Sequence, residues 1–313
     1  MTFQKIKKYK FRQSLYRGLH RLASKFHFHP LYFFRKYLFG YAIKEVNGVR
    51  MYLDLKNDEG ISKFLMIHGK REPVTVDYLI GSKILKAGDV ALDIGANIGY
   101  YALLESKMVG RTGIVYAVEP IRNNLTNLKK NISLNNVSNI RTYNLAMGDA
   151  DREKIEIFMR SKGNLSSLTS LPLDYSEVVS VEEVSMSTVD SFVKREMDVP
   201  PKFIRMDVEG YEANILEGMK NTLTSKPHLQ IEFHPTILSE DQKNGICELL
   251  RGNSYSKAVI TVNPKPGLSP LLRWLNKKIG ENYHESGESS EGDIDHLRKL
   301  LSRSPRIFNA FIS

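Results

Sequence analysis

Short apolar runs alternate with amphipathic stretches along most of this chain. An apolar run bounded by turn residues is typical of a strand buried on both faces, and apolar residues three or four apart are typical of a helix. The runs predict seven main strands, at residues 90–92, 114–118, 140–146, 203–207, 229–234, 257–262 and 306–312. Because predicted helices separate these strands, we expect an α/β fold, a doubly wound, Rossmann-like sheet that is mostly parallel.

The pattern also suggests boundaries within the chain. Residues 1–45 form a basic amphipathic arm, and 46–75 a small β element whose hairpin turns at Asn47-Gly48. The main domain would occupy 76–313, interrupted by an irregular insertion at 263–303 that begins with several prolines. We expect the part of that insertion around residues 285–293 to be disordered.

The arm concentrates the positive charge. The whole chain carries a net charge of +10, and eleven Lys and Arg residues precede Glu45, the first acid, so the remaining residues are nearly neutral. The apolar residues at positions 11, 15, 19, 22 and 26 form a helical stripe beside these bases. A basic amphipathic helix with aromatic residues favours an anionic membrane surface, and the alternatives are a helix docked on the domain or, less expected, nucleic acid.

The first predicted strand leads into a turn with unusual glycine spacing. Asp93 ends the strand, and Gly95, Asn97 and Gly99 follow. Dinucleotide-binding turns have a bare glycine where Asn97 stands, so that a pyrophosphate can lie on the backbone. A nucleoside ligand with an amino-acid tail fits better, and S-adenosylmethionine (SAM) is the common one. We expect Asp93 to pair with its ammonium group.

Other strand ends supply further candidates for the same crevice. Glu119 lies twenty residues past Gly99, where Rossmann units place an acid on the ribose hydroxyls. Ala146 and Met147 end the third predicted strand and would also contact the cofactor. Because ligands of such sheets bind beyond the carboxyl ends of the strands, these positions should converge on one site.

Several of these segments together resemble the FkbM family of SAM-dependent methyltransferases. The resemblance rests on residues 92–99, 119–120, 145–149, 204–212 and 231–234. It covers about 46–262 and the final strand, and it departs from the family pattern at Arg205, where a lysine is expected. It implies a seven-stranded methyltransferase sheet with an antiparallel last strand, and methylation of a hydroxyl on a glycan, a lipid-linked sugar or a small metabolite.

Four residues after the fourth and fifth predicted strands are the candidates for catalysis. They are Asp207, Glu209, Glu232 and His234. One of them could be the general base that deprotonates the acceptor hydroxyl. Alternatively, Asp207, Glu232 and His234 could hold a divalent metal, although a metal is not our prediction.

Two other functions remain open from the residues. The arm suggests an RNA methyltransferase, and a methyltransferase fold without activity could serve as a SAM-binding membrane-associated protein. A single cysteine, Cys247, excludes an internal disulfide and is typical of a reducing cytoplasm. We therefore expect a cytoplasmic protein, in peripheral contact with the inner face of a membrane if the arm binds lipid.

Overall fold

A computed structural model describes residues 30–58, 60–160, 166–167, 178–263 and 288–313. The helical stripe expected in the first part of the arm lies outside these residues. The same is true of the proline-rich part of the predicted insertion.

The described elements alternate as the sequence pattern predicts. The strands are β1 (Tyr41–Val46), β2 (Val49–Asp54), β3 (Val90–Ile94), β4 (Ile114–Val118), β5 (Ile140–Tyr143), β6 (Ala146–Met147), β7 (Arg152–Arg160), β8 (Ser166–Ser167), β9 (Val178–Ser187), β10 (Phe203–Met206), β11 (His228–Phe233), β12 (Ala258–Val262), β13 (Glu288–Gly292) and β14 (Phe308–Ile312). The helices are α1 (Pro30–Leu38), α2 (Ile61–His68), α3 (Pro73–Ser82), α4 (Tyr100–Val109), α5 (Arg122–Leu134), α6 (Val189–Glu196), α7 (Glu212–Glu217), α8 (Lys220–Leu223), α9 (Glu240–Gly252) and α10 (Ile294–Arg303).

The large sheet has the order β13-β12-β14-β11-β10-β3-β4-β5. Its five strands from β11 to β5 are parallel, and β14 runs antiparallel to both β11 and β12. The mostly parallel α/β sheet and its antiparallel last strand are therefore confirmed.

Alternate side chains of the parallel strands enter cores on opposite faces of this sheet. Ala91 of β3 packs in one core with Val115 and Phe203, whereas Leu92 packs in the other with Tyr116 and Ile204. Since both faces are covered, the strands need apolar residues at successive positions, which is why they appear as continuous apolar runs.

Two sequence-based expectations about the sheet are wrong: the number of its strands and the continuity of its third predicted strand. The sheet has eight strands rather than seven in the described residues, because β13 and α10 lie in the stretch 288–303 that we expected to be irregular. β13 also shows that residues 288–292 are ordered, contrary to the disorder expected around 285–293. β13 pairs with β12 through backbone groups at the edge of the sheet, so its polar sequence carries no apolar signal.

The third predicted strand is also interrupted. β5 stays in the large sheet, whereas β6 pairs with β9 in a separate four-stranded sheet of order β6-β9-β7-β8. Asn144, between them, donates its side-chain amide to the carbonyls of Glu119 and Pro120 at 3.1 and 2.6 Å. This break turns the chain away from β4 and opens space at its carboxyl end.

The predicted hairpin is present, but its first strand begins at Tyr41, inside the segment we assigned to the arm. Asn47 and Gly48 both have positive φ, 51° and 73°, as a two-residue hairpin turn requires. The Asn135 side chain bonds both backbone groups of Arg50, at 2.8 and 2.7 Å, and so attaches the hairpin to the end of α5.

Candidate active site

A cavity opens at the carboxyl ends of β3, β4 and β10, with β6 and β7 forming an opposite wall. It contains about 720 Å³ of space free of protein atoms, including solvent at its mouth. Ligands of parallel α/β sheets bind beyond the carboxyl ends of the strands, and this cavity lies there.

The glycine turn after β3 forms the floor of this cavity. Gly95 has φ 79°, and a Cβ there would lie 2.0 Å from the backbone oxygen of Asp207. Only glycine therefore allows the turns after β3 and β10 to touch. Asn97 also lines the cavity and has φ 51°, a conformation that asparagine tolerates better than most residues.

Gly99 does not line the cavity. It has φ 90° and directly precedes α4, where an added Cβ would lie 2.4 Å from a methyl carbon of Leu128. Its place in the motif therefore reflects the packing of α4 against α5.

Glu119 faces the cavity from the end of β4, only 3% exposed. Its carboxylate accepts hydrogen bonds from the backbone N–H groups of Asn97 and Ile121, at 2.7 and 3.0 Å, and from the Asn124 amide at 3.2 Å. All three donors are neutral. Burial raises the pKa of Glu119 to about 7, although these hydrogen bonds oppose the shift.

Ala146 and Met147 form part of an apolar wall with Leu145 and Ile157. Ala146 and Met147 constitute β6, and Ile157 belongs to β7, so the small sheet supplies this wall. A flat apolar group could pack against it while a polar group reaches Glu119.

The structure places Asp93 away from the cavity. Asp93 is fully buried, and its Oδ1 accepts a hydrogen bond from Arg205 at 2.9 Å. The two residues are opposite each other in the pairing of β3 with β10, and the Arg205 guanidinium also lies 3.9 Å from the centre of the Tyr101 ring. In this structure a buried cation therefore pairs with Asp93 in place of a ligand, and the contact between Asp93 and a ligand ammonium stays a prediction.

Asp207 does face the cavity, at the end of β10. Its Oδ2 accepts from Arg205 at 2.9 Å and lies 3.7 Å from the guanidinium of Arg71. Burial alone would raise the pKa of Asp207, but the two cations outweigh burial and hold it at about 2.

His234 and three glutamates form a cluster beside Asp207, and of these four side chains only Glu209 is substantially exposed, by 23%. Glu212 Oε1 lies 2.9 Å from His234 Nδ1, Glu209 Oε2 lies 3.1 Å from Nε2, and Glu232 Oε2 lies 4.0 Å from Nε2. Burial lowers the pKa of His234, but the contacts with Glu209 and Glu212 outweigh it and raise that pKa to about 11. The imidazole is therefore a cation at neutral pH.

Glu232 and Glu209 differ in their surroundings. Burial and the negative charge of Asp207 raise the pKa of Glu232 well above its ordinary value. Glu209 lines the cavity and has φ 53°, a backbone conformation that costs a non-glycine residue about 1–2 kcal/mol. The structure thus brings together the four candidate catalytic residues, with Asp207 and Glu209 on the cavity wall.

Sequence reasoning missed Arg71, Glu72 and Glu212. Arg71 and Glu72 form an ion pair between α2 and α3, a stretch with no recognised motif, and Arg71 also lies 3.9 Å from Glu232. Glu212 lies at the start of α7. It belongs to the segment 204–212 that carries the family resemblance, and that membership was the sequence signal that could have identified it.

The described residues contain no group of three or more His, Cys, Asp or Glu side chains arranged to hold a metal ion. Around Asp207 and Glu232, the nearby positive groups are the side chains of Arg71, Arg205 and His234.

Comparison with known proteins gives one family. Residues 93–278, more than half of the chain, match the model of the methyltransferase FkbM domain. A curated relative, the hexuronic acid methyltransferase AglP of Haloferax volcanii, is 24% identical over 231 residues, which are 71% of this chain and 84% of AglP.

Solved structures are similar at lower identity. Methyltransferase FkbM from Methylobacillus flagellatus has a TM-score of 0.38 at 21% identity, over 57% of this chain and 41% of its own. The matched part of this chain thus covers about two fifths of that protein. A SAM-dependent O-methyltransferase from Thermotoga maritima has a TM-score of 0.43 at 10% identity, over 87% and 76% of the two chains.

Proposed function

This chain belongs to the FkbM methyltransferase family, and from that premise we propose that it is a SAM-dependent O-methyltransferase acting on a hydroxyl of a glycan, a lipid-linked sugar or a small metabolite. One observation carries the proposal. A single cavity has Glu119 on one side and Glu209 with its His234 partner on the other, so one carboxylate can bind a nucleoside while another meets an acceptor.

The cofactor residues that we propose are those of the turn, the β4 end and the apolar wall. Gly95 and Asn97 allow a ligand to approach the backbone, and Glu119 would accept hydrogen bonds from ribose hydroxyls. Ala146 and Met147 would pack against the nucleobase. Gly99 would contribute indirectly, by allowing the turn to pack closely against Leu128. Asp93 would also contribute indirectly, because it neutralises the buried Arg205.

Bound SAM supplies an electrophilic methyl group, and the protein then has to position an acceptor oxygen and remove its proton. Positioning of two reactants can provide about 7–11 kcal/mol of the barrier reduction in good cases. The remaining question is which side chain accepts the proton.

We propose Glu209 as that base, because its neighbours are poorly suited. His234 is already protonated at neutral pH, since its pKa is raised to about 11. Burial raises the pKa of Glu232 well above its ordinary value, which favours the protonated form and leaves it unable to take another proton. Asp207, with a pKa of about 2, is too weak a base. The His234 cation, fixed by Glu212, would then orient the Glu209 carboxylate.

A sugar-like acceptor is supported by the relative AglP, which is a hexuronic acid methyltransferase. The identity of 24% makes this support loose, so the acceptor is proposed only as a hydroxyl-bearing molecule of the carbohydrate or small-metabolite class.

The test has two parts. Calorimetry should detect SAM binding to the full chain, and a radiolabelled methyl-transfer assay should find an acceptor among glycan, lipid, RNA and protein fractions. Glu209→Gln should then lower kcat by about 100-fold or more while the Kd for SAM stays within a factor of three. Absence of SAM binding would overturn the proposal, and transfer only to RNA would overturn the acceptor class.

We further propose that the protein works in the cytoplasm at the inner face of an anionic membrane. Support comes from the α1 aromatic surface, which comprises Phe34, Tyr37, Leu38 and Phe39, exposed by 56% to 77%, beside Arg35. Amphipathic aromatic and basic surfaces bind anionic bilayers. In the part of the chain that the structure describes, no helix is long and apolar enough to cross a membrane.

Vesicle sedimentation tests this surface. The double variant Phe34→Ser, Tyr37→Ser should bind phosphatidylserine vesicles several-fold more weakly than the wild type, because two aromatic side chains no longer enter the interface. Val199→Ser, at an exposed position elsewhere, is the control. Equal sedimentation of the double variant and the wild type would remove the α1 aromatic surface from the proposal.

A further inference from the structure

Arg71 is the one cationic side chain, among the described residues, that lines the cavity. It lies between α2 and α3, far from the glycine turn in sequence, and its side chain is 24% exposed. The other charged groups on the cavity wall are the carboxylates of Glu119, Asp207 and Glu209. A ligand that carries a carboxylate of its own therefore has one place on this wall where it meets a positive charge.

The backbone of Arg71 is held firmly. The Tyr100 hydroxyl donates to its carbonyl at 2.6 Å and accepts from its N–H at 3.2 Å. The same hydroxyl accepts from the side-chain amide of Asn47 at 2.9 Å, so the hairpin and the start of α4 fix this residue together. An ion pair between the Arg71 Nε and Glu72 orients the guanidinium.

The outer nitrogen of that guanidinium is held less tightly. The Arg71 Nη2 atom lies 3.7 Å from Asp207 Oδ2 and 3.9 Å from Glu232 Oε2, which are ion-pair distances but longer than the 2.7–2.9 Å of a charge-assisted hydrogen bond. A guanidinium has five N–H donors in a planar fork that matches a carboxylate. This edge of Arg71 can therefore donate hydrogen bonds to a ligand carboxylate in the cavity at little cost in existing hydrogen bonds.

Asp207 supplies the complementary charge at the same point. Burial would raise its pKa, but Arg205 and Arg71 hold that pKa at about 2, so Asp207 is an anion at neutral pH. It also lies against Gly95, at the floor of the cavity. A cation and an anion 3.7 Å apart match the carboxylate and ammonium groups that an α-amino acid carries on a single carbon.

We propose that Arg71 binds the α-carboxylate, and Asp207 the α-ammonium, of the methionine part of SAM. The assignment rests on the proposed function, and it replaces the role expected for Asp93. Glu119 would then hold the sugar end of the same ligand, and Glu209 would remain available for the acceptor.

The test compares two ligands by calorimetry on the full chain. S-adenosylmethionine and its decarboxylated form share the nucleoside, the sulfonium and the ammonium, and they differ in the carboxylate. The wild type should bind SAM about 10- to 100-fold more tightly than the decarboxylated form, the range expected for a charge-assisted fork. Arg71→Met should bind the two ligands with Kd values within a factor of three.

Three further variants sharpen the result. Arg71→Lys keeps the charge without the fork and should show an intermediate ratio; it also serves if the Met variant does not fold. Asp207→Asn should weaken both ligands together, because both retain the ammonium. Arg50→Met, which removes an exposed arginine from β2, should leave both Kd values unchanged.

The outcomes separate this inference from the proposed function. If the wild type binds neither ligand, the proposed function fails. If the wild type prefers SAM and Arg71→Met keeps the full preference, SAM is the cofactor but Arg71 does not bind its carboxylate. Loss of acceptor affinity without loss of that preference would assign Arg71 to the acceptor and also overturn the inference.

Discussion

Two carboxylates face the same cavity from neighbouring parts of the sheet, and their pKa values shift in opposite directions. Glu119, after β4, is surrounded by neutral donors, and burial raises its pKa to about 7. Asp207, after β10, is also largely shielded from solvent, with 11% of its side chain exposed, but Arg205 and Arg71 hold its pKa at about 2. Burial is common to both, so the partners decide the charge.

The difference divides the site into a tunable side, where the charge of Glu119 can change, and a fixed side, where Arg71 and Arg205 keep Asp207 ionised. Backbone amides and an asparagine can stabilise a carboxylate only partly, so Glu119 changes charge close to neutral pH. Guanidinium groups keep Asp207 ionised throughout. The fixed side is also the more fragile, because removal of one member leaves a buried charge without its partner.

The largest effect is expected when the fixed side is broken. Arg205→Met removes the cation between Asp93 and Asp207, and it should lower the free energy of unfolding by about 3–5 kcal/mol, because two buried carboxylates lose their partner. Urea denaturation measures this loss. Arg205→Lys, the residue that the family resemblance leads us to expect, should lose much less, and an equal loss in both variants would contradict the ion-pair account.

A smaller effect is expected where the two sides touch. Gly95→Ala places a Cβ against the Asp207 carbonyl and requires an alanine at φ 79°, so the turn must move. We expect a loss of unfolding free energy of about 2 kcal/mol or more, from the left-handed backbone and the clash together, and weaker SAM binding.

The matched control is Gly81→Ala in α3, where an added Cβ meets nothing within 4 Å. That change should be neutral or should raise the unfolding free energy by about 0.4–1 kcal/mol. Similar losses at both glycines would show that close contact with Asp207 is not the reason.

The smallest effect is a pH dependence on the tunable side. The ionised form of Glu119 accepts hydroxyl hydrogen bonds, so SAM affinity should rise with pH as this group loses its proton around pH 7. If only the ionised form binds, the Kd should fall about tenfold between pH 6 and pH 8.

Glu119→Gln tests the origin of this change. The variant should bind SAM more weakly at pH 8, and the part of the pH dependence that comes from Glu119 should disappear. Asp207 stays ionised over the same range, so it contributes nothing to the slope. A slope that is unchanged in Glu119→Gln would place the titrating group elsewhere, for example on the ligand.

The sequence alone determined the parts of the molecule that depend on neighbouring residues. Continuous apolar runs predicted the parallel strands, and the Asn47-Gly48 pair predicted the hairpin turn. The strand-end positions of Gly95 and Glu119 predicted that both would lie at one crevice, and both line the cavity. Each of these signals lies within one strand, one turn or one strand-helix-strand unit, where local conformation fixes the outcome.

Tertiary structure alone decided how charges from distant segments meet. Asp93 was expected to face a ligand, yet the register of β3 against β10 places it opposite Arg205, 112 positions away, and turns it into the core. Arg71 carried no sequence signal because its role comes from Tyr100 and Asp207, which only the folded chain brings near. Electrostatic partners are set by distance in space, and a single sequence does not contain those distances.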